Sequence, residues 1–117
     1  MSSESELLAK TEMYFTAWNA RDISALRLLF SVDVELLDWN SNVSGDDEVT
    51  KANARIFDTF PTASIDVVDT LVCVSKRAVT CEFILRLNDA ANTKLTVVDV
   101  LRFNSESKIS SVRAYKL

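Results

Sequence analysis

From Ser64 to Leu117 the chain alternates runs rich in Val, Ile, Leu, Phe and Thr with short polar turns, a pattern of β-strands. The runs fall at about 64–74, 78–88, 93–103 and 109–116. Between them lie Ser75-Lys76-Arg77, Asn88-Asp89-Ala90-Ala91-Asn92 and Asn104-Ser105-Glu106-Ser107, each short enough for an antiparallel hairpin. Such a half folds as a meander, and its apolar face needs cover from the first half of the chain.

The first half supplies helices. Leu7, Thr11, Tyr14 and Trp18, with Leu8 and Phe15 beside them, form one apolar stripe on a helix from about Ser5 to Ala20. Asn19-Ala20-Arg21-Asp22 breaks it, and Asp22 can cap a short second helix carrying Ile23, Leu26, Leu29 and Phe30. Val34 to Trp39 is expected as a strand and Asn40 to Gly45 as a polar loop or short return strand. Asp46 or Asp47 can cap a third helix with Val49, Ala52, Ile56 and Phe57 or Phe60 inward, which Pro61 ends. The expected fold is α+β, a single domain over 1–117 with three N-terminal helices packed on a curved antiparallel sheet.

Composition removes many functions. With no histidine, Ser-His-Asp and Cys-His nucleophile systems and histidine metal centres are excluded, so acid–base chemistry falls to Asp, Glu, Tyr, Lys or Cys. One Gly and one Pro leave no glycine-rich phosphate loop. A formal charge of −4 gives no footprint for nucleic acid or an anionic membrane, and no apolar run approaches the ~20 residues of a membrane span. Two cysteines, Cys73 and Cys81, are too few for a disulfide framework, although the turn at 75–77 can bring them opposite each other. The polar, acidic N-terminus argues against a signal peptide, so a cytoplasmic location is the default expectation. No cofactor or metal is implied.

Within the strands, three carboxylates interrupt apolar rows. Leu95, Val97, Asp99, Leu101 and Phe103 share one face of their strand, and Asp38 continues the row of Val34 and Leu36. Asp69 aligns with Ile65, Val67, Leu71 and Cys73, although a β-bulge would reverse its facing. An ionised carboxylate in a low-dielectric site finds a partner or takes up a proton. Backbone N–H groups or a solvated strand edge would satisfy these side chains; a pocket would make them functional. Val68, Val72, Ile84, Val98 and Val100 lie on the opposite face, which a second copy of the chain could cover, giving a homodimer packed through the sheet.

Tyr14, Asp38 and Asp99 are the inward-facing polar groups of interest. One carboxylate could take a proton from carbon while a phenol and a protonated carboxyl donate to the developing enolate oxygen. The equally simple alternatives are a core tyrosine bonded to a buried carbonyl and an Asp38 that closes a turn with Asn40. Trp18, Trp39 and Phe103 would form core or the apolar wall of such a pocket.

These residues carry a resemblance. Tyr14 to Asp22, Leu29 to Glu35, Val98 to Asn104 and Lys108 to Ala114 together resemble the NTF2-like superfamily, with its SnoaL-like and ketosteroid isomerase-like proteins, along nearly the whole chain. The last two segments are similar to the family's closing strand pair. The resemblance implies a cone-shaped fold with a pocket for a small hydrophobic ligand. It also implies, for Tyr14 and Asp99, the oxyanion hole of the ketosteroid isomerases and, for Asp38, their base. Those enzymes follow the base with proline, where this chain has Trp39. The leading expectation is thus a ketosteroid isomerase-like enzyme; a lyase, cyclase or hydrolase of the SnoaL-like kind on another small hydrophobic substrate, or a non-catalytic ligand- or protein-binding module, is the alternative that the superfamily implies.

Overall fold

A computed structural model describes residues 3–117. Helix α1 (Glu4–Asn19) begins at Ser3, whose hydroxyl accepts the Glu6 N–H, and buries Leu7, Thr11, Tyr14, Phe15 and Trp18. Asp22 caps α2 (Ile23–Leu29), its carboxylate accepting the Ala25 N–H at 3.0 Å. Strand β1 (Phe30–Leu37) starts directly, so Phe30 is the first residue of a strand rather than the last of a helix. A short β2 (Asn42–Ser44) returns to α3 (Asp46–Thr59). Then follow β3 (Ser64–Cys73), β4 (Ala78–Arg86), β5 (Lys94–Phe103) and β6 (Ile109–Lys116), close to the ranges expected.

The cap of α3 differs from expectation. Gly45, not Asp46 or Asp47, occupies it at φ +91°, where an L side chain would be strained. Its N–H is bonded instead to the Val34 carbonyl, which ties the helix start to β1. Asp46 and Asp47 lie in the first turn, where they complement the helix dipole, and both approach Arg27 of α2.

The six strands form one sheet in the order β2-β1-β6-β5-β4-β3. The meander β3 to β6 is antiparallel, as expected, and β1 adds a parallel pairing to β6. Helix α1 packs over β3 and β4, while α3 packs over β1 and β2. Fully buried Leu7, Leu26, Val34, Val49, Val79 and Leu101 lie in the core between the layers. Asn19 at the end of α1 works as a clamp. Its amide donates to the Ile65 carbonyl at 3.0 Å and accepts the Ile65 N–H at 2.7 Å, satisfying the start of β3 much as a strand would.

A bulge decides the facing of β3. Val67 pairs with Phe83 and Asp69 with Glu82, so Val68 is the extra residue. Beyond it Asp69, Leu71 and Cys73 turn outward and exposed, while Thr70 approaches the Cys81 sulfur at 3.7 Å and Val72 packs on the core. Asp69 is therefore solvated, and Val72 leaves the outer face to which its parity assigned it. Nor do the cysteines meet: Cys73 pairs with Ala78, Cys81 with Thr70, and both are free. Deleting Val68 would make Val67 and Asp69 successive residues of a regular ladder opposite Phe83 and Glu82, so Asp69 is expected to stay outward and the loss to stay at about 1 kcal/mol. Val68→Ala, at a position 57% exposed, should stay within about 0.5 kcal/mol. Thermal unfolding checks this: both variants should melt within about 5 °C of the wild type, and a much larger loss in the deletion variant would show that the bulge itself holds the strand.

Candidate active site

Asp99 lies near the middle of β5, on the face covered by the helices, and is 4% exposed. Its neighbours across the sheet are Cys81 on β4 and Ala114 on β6. These small side chains leave open space above the carboxyl that larger ones would fill. The strip lies between α1 and α3, and there a cavity of about 80 Å³ opens.

Tyr14, Asp38 and Asp99 all line that cavity. Tyr14 reaches it from α1, with its ring edge-on to Phe15 (5.1 Å between centroids) and Phe30 (6.2 Å). Asp38 comes just after β1 and is half-buried at the mouth. Its Oδ1 accepts the Asn40 N–H at 2.7 Å, and its own N–H donates to the Ser41 carbonyl at 2.9 Å. Asp38 thus closes the turn into β2 and lines the cavity as well.

Trp18 and Trp39 are also in the wall. Trp18 is buried against Phe57, centroids 4.9 Å apart, and its Nε1–H donates to Asn53 Oδ1 at 3.1 Å. Trp39 is at the rim, 38% exposed, with the Lys116 ammonium 5.1 Å from the centre of its ring. Phe103 is elsewhere. Four residues beyond Asp99 on the same face, it lies about 13 Å further along the strand, where it is core and not cavity wall. Facing alone placed it with Asp99; distance along the strand separates them.

Asn53 was missed by sequence reasoning. It is a buried polar residue of α3 that lines the cavity, with its amide donating to the Val49 carbonyl at 3.0 Å. The signal was available: position 53 follows Val49 by one helical turn and belongs to the inward stripe, where an Asn needs a partner.

Burial sets the electrostatics. Loss of water, and then the negative charge of Asp38, push the Asp99 carboxyl up to about 7. Near neutral pH it therefore carries a proton much of the time and can act as a hydrogen-bond donor. Burial, followed by the charges of Asp99, Asp38 and Cys81, holds the Tyr14 phenol well above its ordinary value, so it too keeps its proton. Burial likewise raises the Cys81 thiol, which is correspondingly inert. The cavity thus combines two proton donors in apolar surroundings with one carboxylate at its mouth. Among the described residues, no group of three His, Cys, Asp or Glu side chains is placed to hold a metal ion.

Three helices on one concave, mixed sheet define the α+β cone of cystatin-like and NTF2-like proteins. Residues 11–112 match the SnoaL-like domain, and the chain belongs to that family. Comparison with curated proteins finds no match. Among solved structures, a SnoaL-like protein of unknown function from Burkholderia thailandensis superposes with a TM-score of 0.84 at 14% identity, over 100% of this chain and 99% of that one. A protein with a ketosteroid isomerase-like fold from Catenulispora acidiphila, in complex with trimethylamine, gives 0.79 at 17% identity over 91% and 83%. A candidate polyketide cyclase from Sinorhizobium meliloti gives 0.81 at 13% identity over 92% and 94%. At these identities the likeness is one of fold.

Proposed function

We propose that this protein moves a proton beside the carbonyl of a small substrate, in the manner of a ketosteroid isomerase. The observation that carries the reading is the convergence of Tyr14, Asp38 and Asp99 on one apolar cavity, with Asp99 poised at about 7. In this reading the substrate carbonyl enters between Tyr14 and Asp99, each donating a hydrogen bond to its oxygen. Asp38 takes a proton from the adjacent carbon, leaving a dienolate whose charge the two donors hold. The same carboxyl returns the proton to the far carbon of the dienolate, so that a β,γ-unsaturated ketone becomes the conjugated isomer. No net proton or electron is consumed.

Cavity size narrows the substrate. About 80 Å³ is well under the ~300–1,000 Å³ of pockets that enclose drug-sized ligands. It accommodates a carbonyl and its nearest carbons, which favours a short-chain or monocyclic ketone over a steroid. The test is conversion of a β,γ-unsaturated cyclohexenone, followed by the ultraviolet absorbance of the conjugated product. Turnover above the buffer rate, competitively inhibited by a phenol, is expected. If the phenol binds and the ketone is never isomerised, the cavity is a binding site without this chemistry.

The homodimer belongs to the same proposal. Around half-buried Val98, Val100 and Ile84, the outer sheet face exposes Leu71 (65%) and Tyr115 (56%), which a second copy would cover. Sedimentation velocity at micromolar concentration is expected to give twice the chain mass, and a monomer there would remove it.

A further inference from the structure

One buried polar group of the cavity has no part in the proton transfer. Asn53, 5% exposed, reaches the cavity from α3 as Tyr14 does from α1. It stands on the inward stripe of the helix with Val49, Ala52 and Phe57, where an apolar side chain would have filled the place without any need of partners.

Its amide is held on two sides. The Trp18 Nε1–H donates to Oδ1 at 3.1 Å, and Nδ2 donates to the Val49 carbonyl at 3.0 Å. An indole nitrogen can only donate and a backbone carbonyl can only accept, so the two bonds fix which end of the amide is oxygen and which is nitrogen. Trp18 is itself immobilised, with its ring edge-on to Phe57.

An amide nitrogen carries two hydrogens, and Val49 takes one of them. Among the described residues no acceptor takes the other: the bonds of Asn53 run to Trp18 and Val49, none to Tyr14, Asp38 or Asp99. A donor that has lost its water and gained no partner is a standing cost, which an acceptor arriving with a ligand removes.

We infer that Asn53 sets specificity: its remaining N–H donates to a second oxygen of the substrate, a hydroxyl or a further carbonyl, while the reacting carbonyl lies between Tyr14 and Asp99. The substrate class is then an uncharged hydroxyketone or diketone rather than a plain enone. This deepens the proposed function and rests on its placement of the reacting carbonyl. An uncharged oxygen suits the site because the amide has no formal charge and Asp38 shares the cavity, so a ligand carboxylate would meet like charge. Trp18 acts through Asn53, as the positioning residue that keeps the amide in this orientation.

Titration calorimetry with isosteric phenols tests the assignment apart from the chemistry. The 3- and 4-(hydroxymethyl)phenols differ from the 3- and 4-ethylphenols only in a hydroxyl for a methyl, and the phenolic oxygen of each takes the place of the dienolate oxygen. At one of the two ring positions the hydroxymethyl ligand is expected to bind the wild type about tenfold tighter than its ethyl counterpart. The double variant Trp18→Phe, Asn53→Leu removes both partners of the buried bond together, so neither is orphaned and the fold should hold. There the order should reverse, because the hydroxyl enters apolar surroundings unpaired. Should the double variant fail to fold, Trp18→Phe alone, which removes one of the two bonds holding the amide, is expected to cut the preference by about threefold. Ethyl ligands that bind the wild type as tightly as hydroxymethyl ones at both positions, or a hydroxyl preference that the variants keep, overturns the role of Asn53 and leaves the proton-transfer reading intact. Failure of all the phenols to bind overturns both together.

Discussion

Asp38→Asn is expected to lower kcat/KM for the β,γ-unsaturated ketone by about a hundred- to ten-thousandfold, as loss of a general base does. Asparagine has nearly the same shape, and its amide oxygen can still accept the Asn40 N–H that Asp38 now accepts at 2.7 Å. The turn into β2 is thereby kept, and the melting temperature should change little. Binding of a phenol should survive, because its oxygen meets Tyr14 and Asp99 rather than position 38. The variant also removes the charge that helps to hold Asp99 up to about 7, so the pH at which Asp99 ionises should fall. Turnover kinetics, phenol titration and carbonyl-region infrared spectra against pH give the three readouts. A variant that retains more than about a tenth of the activity would show that some other group takes the proton.

The second large effect concerns stability and pH. In the unfolded chain Asp99 ionises near its ordinary 3.8; in the folded protein it does so at about 7. Between these values the folded state holds one proton more than the unfolded state, so stability falls as pH rises through that range. At 1.36 kcal/mol for each pH unit, the loss reaches about 4 kcal/mol by neutral pH and is absent below about pH 4. Asp99→Asn cannot titrate, so the stability of the wild type minus that of the variant should decline from pH 4 to 7 and level off above. Urea unfolding across the pH range measures it, and taking the difference cancels carboxylates common to both, such as Asp89, which hydrogen bonds to Thr93 hold low. A flat difference would mean that Asp99 is ionised throughout and is not the donor proposed for it. The same sign applies to catalysis, where rates should decline as Asp99 loses its proton.

Much of this architecture was legible in the sequence, because period-two and period-3.6 patterns report facing directly. Asp99 was placed inward by strand parity and Tyr14 by helical spacing, and both are buried. Parity counts residues, and so it failed at Val68, where one extra residue inverted the assignments of Asp69 and Val72. The boundary at Phe30 was misplaced for a related reason: Leu29 and Phe30 are both buried, one closing a helix and the other opening a strand. At Gly45 the sequence offered two good carboxylate caps, but the backbone bond to Val34 took precedence. That Asp38 both closes its turn with Asn40 and lines the cavity was not legible, because the turn and the cavity are built from different parts of the chain. The cavity is not encoded in any local pattern: it depends on the small neighbours that β4 and β6 set beside Asp99 and on the gap between α1 and α3.

That pairing has a consequence for how the protein is made. β1 spans residues 30–37, yet its parallel neighbour is β6, residues 109–116, which also supplies Val112 and Ala114 to the cavity wall. During synthesis β1 must wait, one edge unpaired, while more than half of the chain is still being translated. Contacts so distant in sequence slow folding and leave the strand edge open to wrong partners in the meantime. The polar residues Asp33 and Glu35, which alternate with the apolar ones of β1, keep that waiting edge soluble. Nascent chains stalled before residue 109 should therefore hold α1, α2 and β1 in a protease-sensitive state, and the cavity would come into being only with the final strand.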